Sequence, residues 1–236
     1  GNRFEFRAVG GAQNLAHPNV MINTALADSM SEWCRLVEGG MSHRDATAEL
    51  LKESMSAVFT GNGYSKEWPV EAVSTRGLLN LHNTVTALAH FPSPKNKALF
   101  EKQGVLVGEE VEARTNIMYE KYAITIKIEA TTMLEMMNTA LIPACAKDLK
   151  TYEGAPELAG DRKALYKSLK DATSALASAC GSIPHDADEK AEANFCAETL
   201  VPAMAAVRAI ADQVEGVMEK SLYPFPTYHQ LMYSHH

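Results

Sequence analysis

Residues 109–150, EEVEARTNIMYEKYAITIKIEATTMLEMMNTALIPACAKDLK, carry the longest helical pattern in the chain and set its architecture. Seam positions recur there in steps of four and three, the spacing of a packing seam on one side of an α-helix. At about 1.5 Å per residue, this helix would reach roughly 60 Å. Pro143 should kink or interrupt it near its end, because the proline ring clashes with the preceding turn. The seam consists of Met118, Tyr122, Ile126, Glu129, Met133, Met136 and Ala140.

Two segments further along the chain repeat the same spacing and predict a helical hairpin. Their seam positions are Leu165, Leu169, Ala172, Leu176 and Ala179 in the first segment, and Leu200, Met204, Val207, Ala211, Val214 and Met218 in the second. Together with the long helix they predict a mainly α fold, an antiparallel, coiled-coil-like bundle of long helices over residues 108–222. The proline-rich residues 223–236 are predicted to form an extended C-terminal tail.

The N-terminal part of the sequence lacks the long helical pattern of residues 109–150. Alternation of apolar and charged residues predicts a β-strand over 2–9, and Pro18 opens a helical pattern over 18–38. Residues 41–107 are interrupted by Pro and Gly, which predicts a connecting region of short helices such as 69–76, 82–90 and 94–103. Ser42, followed by Asp45, is a near match to a capping box before another helix. The strand has no partner strand downstream, so the chain is expected to begin inside a larger protein.

Composition excludes several classes of protein. The net charge of −7 has no basic run behind it, which argues against nucleic-acid binding. The four cysteines are far apart and form no CxxC, which favours neither a zinc finger nor a disulfide scaffold and is typical of a reducing cytoplasm. No apolar run is long enough to predict a membrane span.

The most suggestive chemical pattern is Arg3-x-Glu5-x-Arg7. Alternate strand positions point to one side, so the carboxylate would lie between two guanidinium groups, roughly 6 to 7 Å from each. Arginine can bind a carboxylate or phosphate with two hydrogen bonds, and glutamate supplies the hard oxygen that Mg²⁺ prefers. The trio would suit phosphoryl chemistry on an acidic substrate, although an exposed strand with a solvated ladder of charges remains an alternative.

Other polar or polarizable residues are weaker candidates. Glu129 lies on the seam of the long helix, where a single charge more often sets helix register or marks a wet edge. His17, His82 and His90 have no partner at a recognisable catalytic spacing. The methionines at 133, 136 and 137 could line a ligand surface, but their helical spacing favours core packing.

Residues 2–24, NRFEFRAVGGAQNLAHPNVMINT, resemble the stretch of glutamine synthetases in which an R-x-E-x-R strand leads through a loop and a Pro-Asn turn into a helix. The N-[KR]-F-E-F-R form resembles the type III enzymes. The resemblance continues through GNGYSKEWPVEAVSTRGLLNLHNTVTAL, KALFEKQGVLVGEEVEAR and IEATTMLEMMNTALIPA, and ends with YPFPTYHQLMY. It therefore covers essentially the whole chain and identifies the C-terminal part of a type III glutamine synthetase.

The resemblance implies that the strand belongs to the α/β catalytic barrel and that residues 1–40 are the end of a catalytic domain. It implies that Glu5 ligates Mg²⁺ (or Mn²⁺) beside the phosphates of ATP, that Arg3 contacts those phosphates, and that Arg7 reaches the substrate glutamate. The implied reaction is ATP-dependent ligation of glutamate and ammonia to glutamine through γ-glutamyl phosphate. The other catalytic residues of the family would lie upstream, so this chain alone is expected to be inactive.

The helices are expected to pack subunits into a ring-shaped homo-oligomer, a dodecamer by family resemblance. No nucleic acid or membrane partner is expected. Two alternatives stay open at this point. One is a helical interaction module that stands alone, with its strand added to the sheet of a partner. The other is a ligase of the same fold that uses another amine, such as a γ-glutamyl-polyamine ligase.

Overall fold

A computed structural model of the chain describes residues 14–184 and 188–233. Every regular element in these ranges is helical, which confirms the mainly α class. The predicted strand 2–9 lies outside the described residues. The chain divides after Thr115, within helix α6, into two compact units. The α-helices are α1 (Ala16–Glu38), α2 (His43–Ser54), α3 (Glu67–Ser74), α4 (Thr84–Leu88), α5 (Pro94–Lys102), α6 (Gly108–Met136), α7 (Ile142–Lys150), α8 (Arg162–Cys180), α9 (Glu189–Phe195), α10 (Val201–Val217) and α11 (Tyr228–Met232).

In the first unit, α1 packs against α2 and α5. Helix α2 begins as its sequence predicts, because the Ser42 hydroxyl accepts a hydrogen bond from the Asp45 backbone N–H at 3.2 Å. Trp33 of α1 donates its indole N–H to the Thr47 hydroxyl of α2 at 3.1 Å. Asp28 of α1 pairs with Lys102 at the end of α5 at 2.7 Å. These polar contacts fix the three helices relative to one another.

The connection between α2 and α3 is held by an aromatic stack. The rings of Phe59 and Trp68 lie 3.8 Å apart between centroids, and the Arg76 guanidinium lies 5.0 Å from the Trp68 ring centroid. Arg76 also donates to the Val58 carbonyl at 2.6 Å and pairs with Glu71. A single arginine thus joins the loop after α2 to the end of α3.

The second unit is a bundle built from α6, α7, α8 and α10. Helix α8 packs against α10 and α7, as the shared seam spacing predicts. The core of the bundle is almost entirely aliphatic. It includes the fully buried side chains of Leu141, Leu169, Leu176, Leu200, Val207 and Val214. Burying one such side chain contributes about 1.5 to 3 kcal/mol relative to leaving it exposed.

Two π turns interrupt α-helical hydrogen bonding in this bundle, and each lies just before a proline. Met137–Leu141 precedes Pro143, and Cys196–Leu200 precedes Pro202. Proline lacks the N–H that would donate to the carbonyl four residues back, and its ring would clash with that carbonyl. The interruption predicted from Pro143 is therefore present, but it takes the form of a widened turn on the N-terminal side of the proline.

The C-terminal segment corrects one prediction. Residues 223–227 lie outside any helix, but Tyr228–Met232 forms helix α11, so this part of the predicted extended tail is wrong. The Thr227 hydroxyl accepts from the Gln230 backbone N–H at 3.2 Å, and the Gln230 side chain accepts from the Thr227 N–H at 2.8 Å. This reciprocal capping box satisfies two backbone donors and starts the helix immediately after the prolines.

Candidate functional site

The residues that the sequence nominates for chemistry, Arg3, Glu5 and Arg7, lie outside the described residues. Within residues 14–184 and 188–233, no group of three or more His, Cys, Asp and Glu side chains is placed to hold a metal ion. The described part of the chain instead presents two polar features in the second unit. One is an open cleft beside the C-terminal segment, and the other is a buried carboxylate network.

The cleft lies where residues 223–231 pack back against α6 and α10, and we call it the tail cleft. Its volume is about 410 Å³. The floor is apolar and the rim carries four charged side chains. The lining residues are Ile128, Glu129, Thr132, Met133, Met136, Met137 and Leu141 from α6 and the following π turn, Val207, Arg208, Ala211, Asp212 and Glu215 from α10, and Tyr223, Phe225, Pro226, Tyr228 and Leu231 from the C-terminal segment.

Hydrogen bonds from α10 hold the C-terminal segment in place along this cleft. The Glu215 carboxylate accepts from the Tyr228 backbone N–H at 2.9 Å. Arg208 donates to Asp212 at 2.6 Å, and its guanidinium also contacts the Tyr228 hydroxyl and faces the Tyr228 ring. Burial raises the pKa of Tyr223, and the neighbouring Glu215 carboxylate raises it further. Tyr223 is therefore a neutral donor at physiological pH.

The long-helix residues that sequence analysis singled out meet in the tail cleft. Glu129 is exposed and lines the cleft, which places it at a wet edge of the bundle. Met137 is buried in the core, Met133 is half-buried and Met136 is exposed, and all three also line the cleft. The methionines therefore act partly as core and partly as a surface open to a ligand.

The buried network centres on Asp148, near the end of α7, whose side chain is 0% exposed. Its carboxylate accepts from the Tyr166 hydroxyl at 2.6 Å and from the Glu219 backbone N–H at 3.0 Å. The Arg162 Nε atom lies 3.4 Å from the same carboxylate, and its other nitrogens donate to the Val217 carbonyl at 2.6 Å and the Ala159 carbonyl at 3.0 Å. These contacts join the ends of α7, α8 and α10, which indicates a structural role.

Sequence reasoning missed Asp148, although a signal was present. Asp148 continues the four-residue spacing of Ala140 and Ala144, and a carboxylate that is buried at such a position requires hydrogen-bonding or charged partners. The residues of the tail cleft on α10 carry no comparable signal. Arg208, Asp212 and Glu215 read as an ordinary solvated helix face until the C-terminal segment is placed against them.

Three histidines, His17, His82 and His90, are considered as catalytic candidates from the sequence. His17 lies edge-on to Phe91, with ring centroids 4.8 Å apart. Burial lowers the pKa of His17, and the positive charge of Arg114 lowers it further. His82 and His90 are exposed. None of the three is paired with a nucleophile in the described contacts.

Comparison with known proteins shows which proteins this chain is similar to. Residues 44–154 match the family model of the glutamine synthetase C-terminal domain. A type-3 glutamine synthetase of Dictyostelium discoideum is 29% identical over 99% of this chain and 35% of its own length. The chain is similar to glutamine synthetases over nearly its whole length. The resemblance of its sequence to the type III glutamine synthetases is thereby confirmed.

Two bacterial glutamine synthetases extend this relationship. The glutamine synthetase of Bacteroides fragilis is 28% identical over 99% of this chain and 36% of its own length. The glutamine synthetase of Butyrivibrio fibrisolvens is 31% identical over 81% of this chain and 30% of its own length. The chain thus spans about a third of the length of the relatives it matches. None of the helices in the described ranges is long and apolar enough to cross a membrane.

Proposed function

We propose that this chain is the helical C-terminal part of a cytoplasmic type III glutamine synthetase. The observation that carries the proposal is the match of residues 44–154 to the glutamine synthetase C-terminal domain, together with relatives that align over 99% of the chain. The proposed reaction of the longer protein is ligation of glutamate and ammonia to glutamine, driven by ATP. Four free cysteine thiols suit a reducing compartment.

The proposed contribution of this chain to the catalytic site is the strand that carries Arg3, Glu5 and Arg7. The Glu5 carboxylate is an oxygen ligand of the type that Mg²⁺ or Mn²⁺ prefers, and it would hold such an ion together with ligands from upstream residues. Arg3 would contact the phosphates of ATP. Arg7 would bind the substrate glutamate and neutralise charge that develops in the transition state.

The proposed chemistry proceeds in two transfers. The γ-carboxylate of glutamate attacks the terminal phosphorus of ATP, giving γ-glutamyl phosphate and ADP. Ammonia then attacks the acyl carbon, the bond to phosphate breaks, and loss of a proton from nitrogen leaves the amide of glutamine. A bound divalent ion would offset charge on the phosphate oxygens, while the two arginines position the reacting groups.

The proposed role of the helical region is to pack subunits into a ring-shaped homo-oligomer, a dodecamer by family resemblance. Helix α1 supports this role, because Thr24 is its sole buried residue in the described structure. Leu26 and Met30, one turn apart on this helix, are 56% and 58% exposed. Large apolar residues that share an uncovered helix face commonly mark a contact with another chain.

The test is glutamine formation from glutamate, ammonia and ATP in the presence of Mg²⁺, measured in parallel on this chain and on the longer protein that carries it. We expect turnover in the longer protein and none in this chain alone. Turnover of the longer protein with a polyamine and not with ammonia would contradict the proposal and favour the other-amine ligase. Absence of turnover with any amine would favour a helical interaction module.

Substitution in the longer protein tests the site residues. We expect Glu5→Ala and Arg7→Ala each to lower glutamine formation by at least about a hundredfold, the scale of losing one charge-stabilising group. Asp171→Ala removes an exposed carboxylate of α8 that pairs with Lys167 on the same helix, and it serves as the matched control. Unchanged turnover in either site variant would refute the assignment of that residue.

A further inference from the structure

The tail cleft has the size and the walls of a small-molecule site. Its volume of about 410 Å³ falls within the range of roughly 300 to 1,000 Å³ that is usual for ligand pockets. Met133 and Met137 form part of the floor beside Leu141, Val207 and Ala211. Methionine side chains are flexible and polarizable, so this floor can adapt to an apolar group of varied shape.

The charges around the cleft are unbalanced. Glu129, Asp212 and Glu215 face one cation, Arg208, so three carboxylates against one guanidinium leave a net charge of −2. Arg208 is already paired with Asp212. Glu215 accepts from neutral donors, and no ion pair joins Glu129 or Glu215 to a lysine or arginine of the described residues. The two carboxylates lie on different walls, α6 and α10.

Aromatic side chains complete the cleft on its third side. Tyr223 and Phe225 meet edge to face, with ring centroids 6.0 Å apart, and Tyr228 lies beyond them. Aromatic faces attract cations through their negative quadrupole. A cleft lined by one sign of charge and by low-dielectric walls also concentrates oppositely charged small molecules.

We propose that the tail cleft binds an organic cation with an apolar body. The apolar body occupies the methionine floor, and the ammonium group lies at the rim between Glu129 and Glu215, against the aromatic wall. The proposal rests on residues of the second unit and does not depend on the proposed reaction. Its ligand class follows from charge complementarity, since a neutral or anionic group of the same shape would leave both carboxylates uncompensated.

The experiment uses three probes of similar size that differ in the head group, 4-phenylbutylammonium, 4-phenylbutanol and 4-phenylbutyrate. Binding to the 236-residue chain is measured by calorimetry. Methyl NMR, with methionines assigned by single Met→Leu substitutions, locates the bound probe. We expect the cation to bind roughly tenfold more tightly than the alcohol, the effect of two partly exposed ion pairs, and the carboxylate to bind most weakly. Added salt should reduce the advantage of the cation.

Substitutions assign the effect to the two carboxylates. Glu129→Gln and Glu215→Gln should each weaken cation binding roughly threefold and leave binding of the alcohol unchanged. Glu135→Gln is the matched control, because Glu135 is exposed on the same helix as Glu129 but does not line the cleft. Support requires this pattern together with methyl shifts at Met133, Met136 and Met137. Equal binding of cation and alcohol, tightest binding of the carboxylate, or no methyl shifts with any probe would each overturn the proposal.

Discussion

At the scale of single residues, the Asp148 network shows how a buried charge is held in the second unit. Its carboxylate accepts from a tyrosine hydroxyl and a backbone N–H and lies beside the Arg162 guanidinium. Arg162 in turn caps carbonyls near the end of α10 and before α8, and lies over the Tyr152 ring. The Tyr166 hydroxyl and the Glu219 N–H therefore share Asp148 as their acceptor, whereas Arg162 Nε is buried without a hydrogen bond to the described residues and offsets the carboxylate by charge alone.

Removing the carboxylate should be costly. Asp148→Ala leaves Arg162 partly buried without its counter-charge and the Tyr166 hydroxyl without its acceptor, so we expect a loss of about 3 to 5 kcal/mol in the free energy of unfolding. Urea unfolding followed by circular dichroism measures this. Asp171→Ala, on the exposed face of α8, should change stability by less than about 0.5 kcal/mol. Equal losses in the two variants would show that the network contributes no more than a surface ion pair.

The raised pKa values of two side chains in this region predict how the stability of the fold depends on pH. Burial raises the pKa of Cys145 to about 12, and burial with the hydrogen bond to Asp148 raises the pKa of Tyr166. The folded state therefore keeps both groups protonated when the unfolded chain has begun to lose those protons. Their contribution is complete below the unfolded pKa values of 9.0 for Cys and 10.0 for Tyr and is lost as pH rises above them.

We therefore expect the urea midpoint to fall between pH 9 and pH 11. Cys145→Ala should make the early part of this fall shallower, because the raised thiol pKa no longer contributes. A urea midpoint that is constant between pH 9 and pH 11 would contradict the raised pKa values. The same dependence of the midpoint on pH in Cys145→Ala and in the unsubstituted chain would contradict the contribution of Cys145.

At the scale of elements, the two π turns share one arrangement. Each places two core residues one turn apart, Met137 and Leu141 in the first and Cys196 and Leu200 in the second. Each is followed by an apolar residue, a proline and an alanine. The widened turn moves the carbonyls away from the proline ring, so the helix continues past the proline.

Because the π turn already accommodates the proline, removing the proline should gain little. We expect Pro143→Ala to change the free energy of unfolding by less than about 1 kcal/mol. Thr131→Pro, at an exposed position in the regular part of α6, should cost about 3 kcal/mol or more. A gain of that size in Pro143→Ala would show that the π turn does not relieve the clash.

The elements also show what the sequence can and cannot predict. The N-cap at Ser42 and the seams over α8 and α10 are local patterns, and the structure places them as predicted. The seam predicted for the long helix is wrong in register, because Glu129 and Met136 are exposed and Ile126 is its one buried position in the described structure. The buried side of α6 instead follows Val111, Thr115, Tyr119, Ala123, Ile126 and Ala130.

The π turns cannot be predicted from the seams. Apolar residues recur at intervals of three and four residues whether or not one turn of the helix contains an additional residue. Helix α11 was not predicted, because the proline-rich residues 223–226 indicate an extended tail and the Thr227–Gln230 capping box that starts the helix was not considered. The tail cleft depends on long-range packing of 223–231, which no local pattern predicts, while Arg3, Glu5 and Arg7 lie outside the described residues.

At the scale of the whole molecule, the second unit has a core of its own. The buried cluster draws on α6, α7, α8 and α10 and on the residues after α10, all within 122–225. The polar network and the tail cleft lie in the same unit. A bundle of this size with a continuous core is large enough to fold independently.

We therefore expect residues 116–236, expressed alone, to fold into a helical bundle that unfolds cooperatively. The measurement is far-UV circular dichroism with a urea titration, with near-UV dichroism as the test of fixed aromatic packing. Leu169→Ala is the companion variant, since it removes a fully buried core side chain and should lower stability by about 2 to 5 kcal/mol. Helical signal without cooperative unfolding would contradict an independent core.

The π turns have a further consequence for how this bundle can change over evolutionary time. A residue inserted into or deleted from a regular α-helix rotates everything beyond it by about 100°, which would turn the apolar side towards water. A π turn already contains one residue more than an α turn, so a single deletion there converts one helix type into the other and leaves the flanking sides aligned. Residues 137–141 and 196–200 are thus positions at which the loss of one residue would keep the buried sides of these helices aligned.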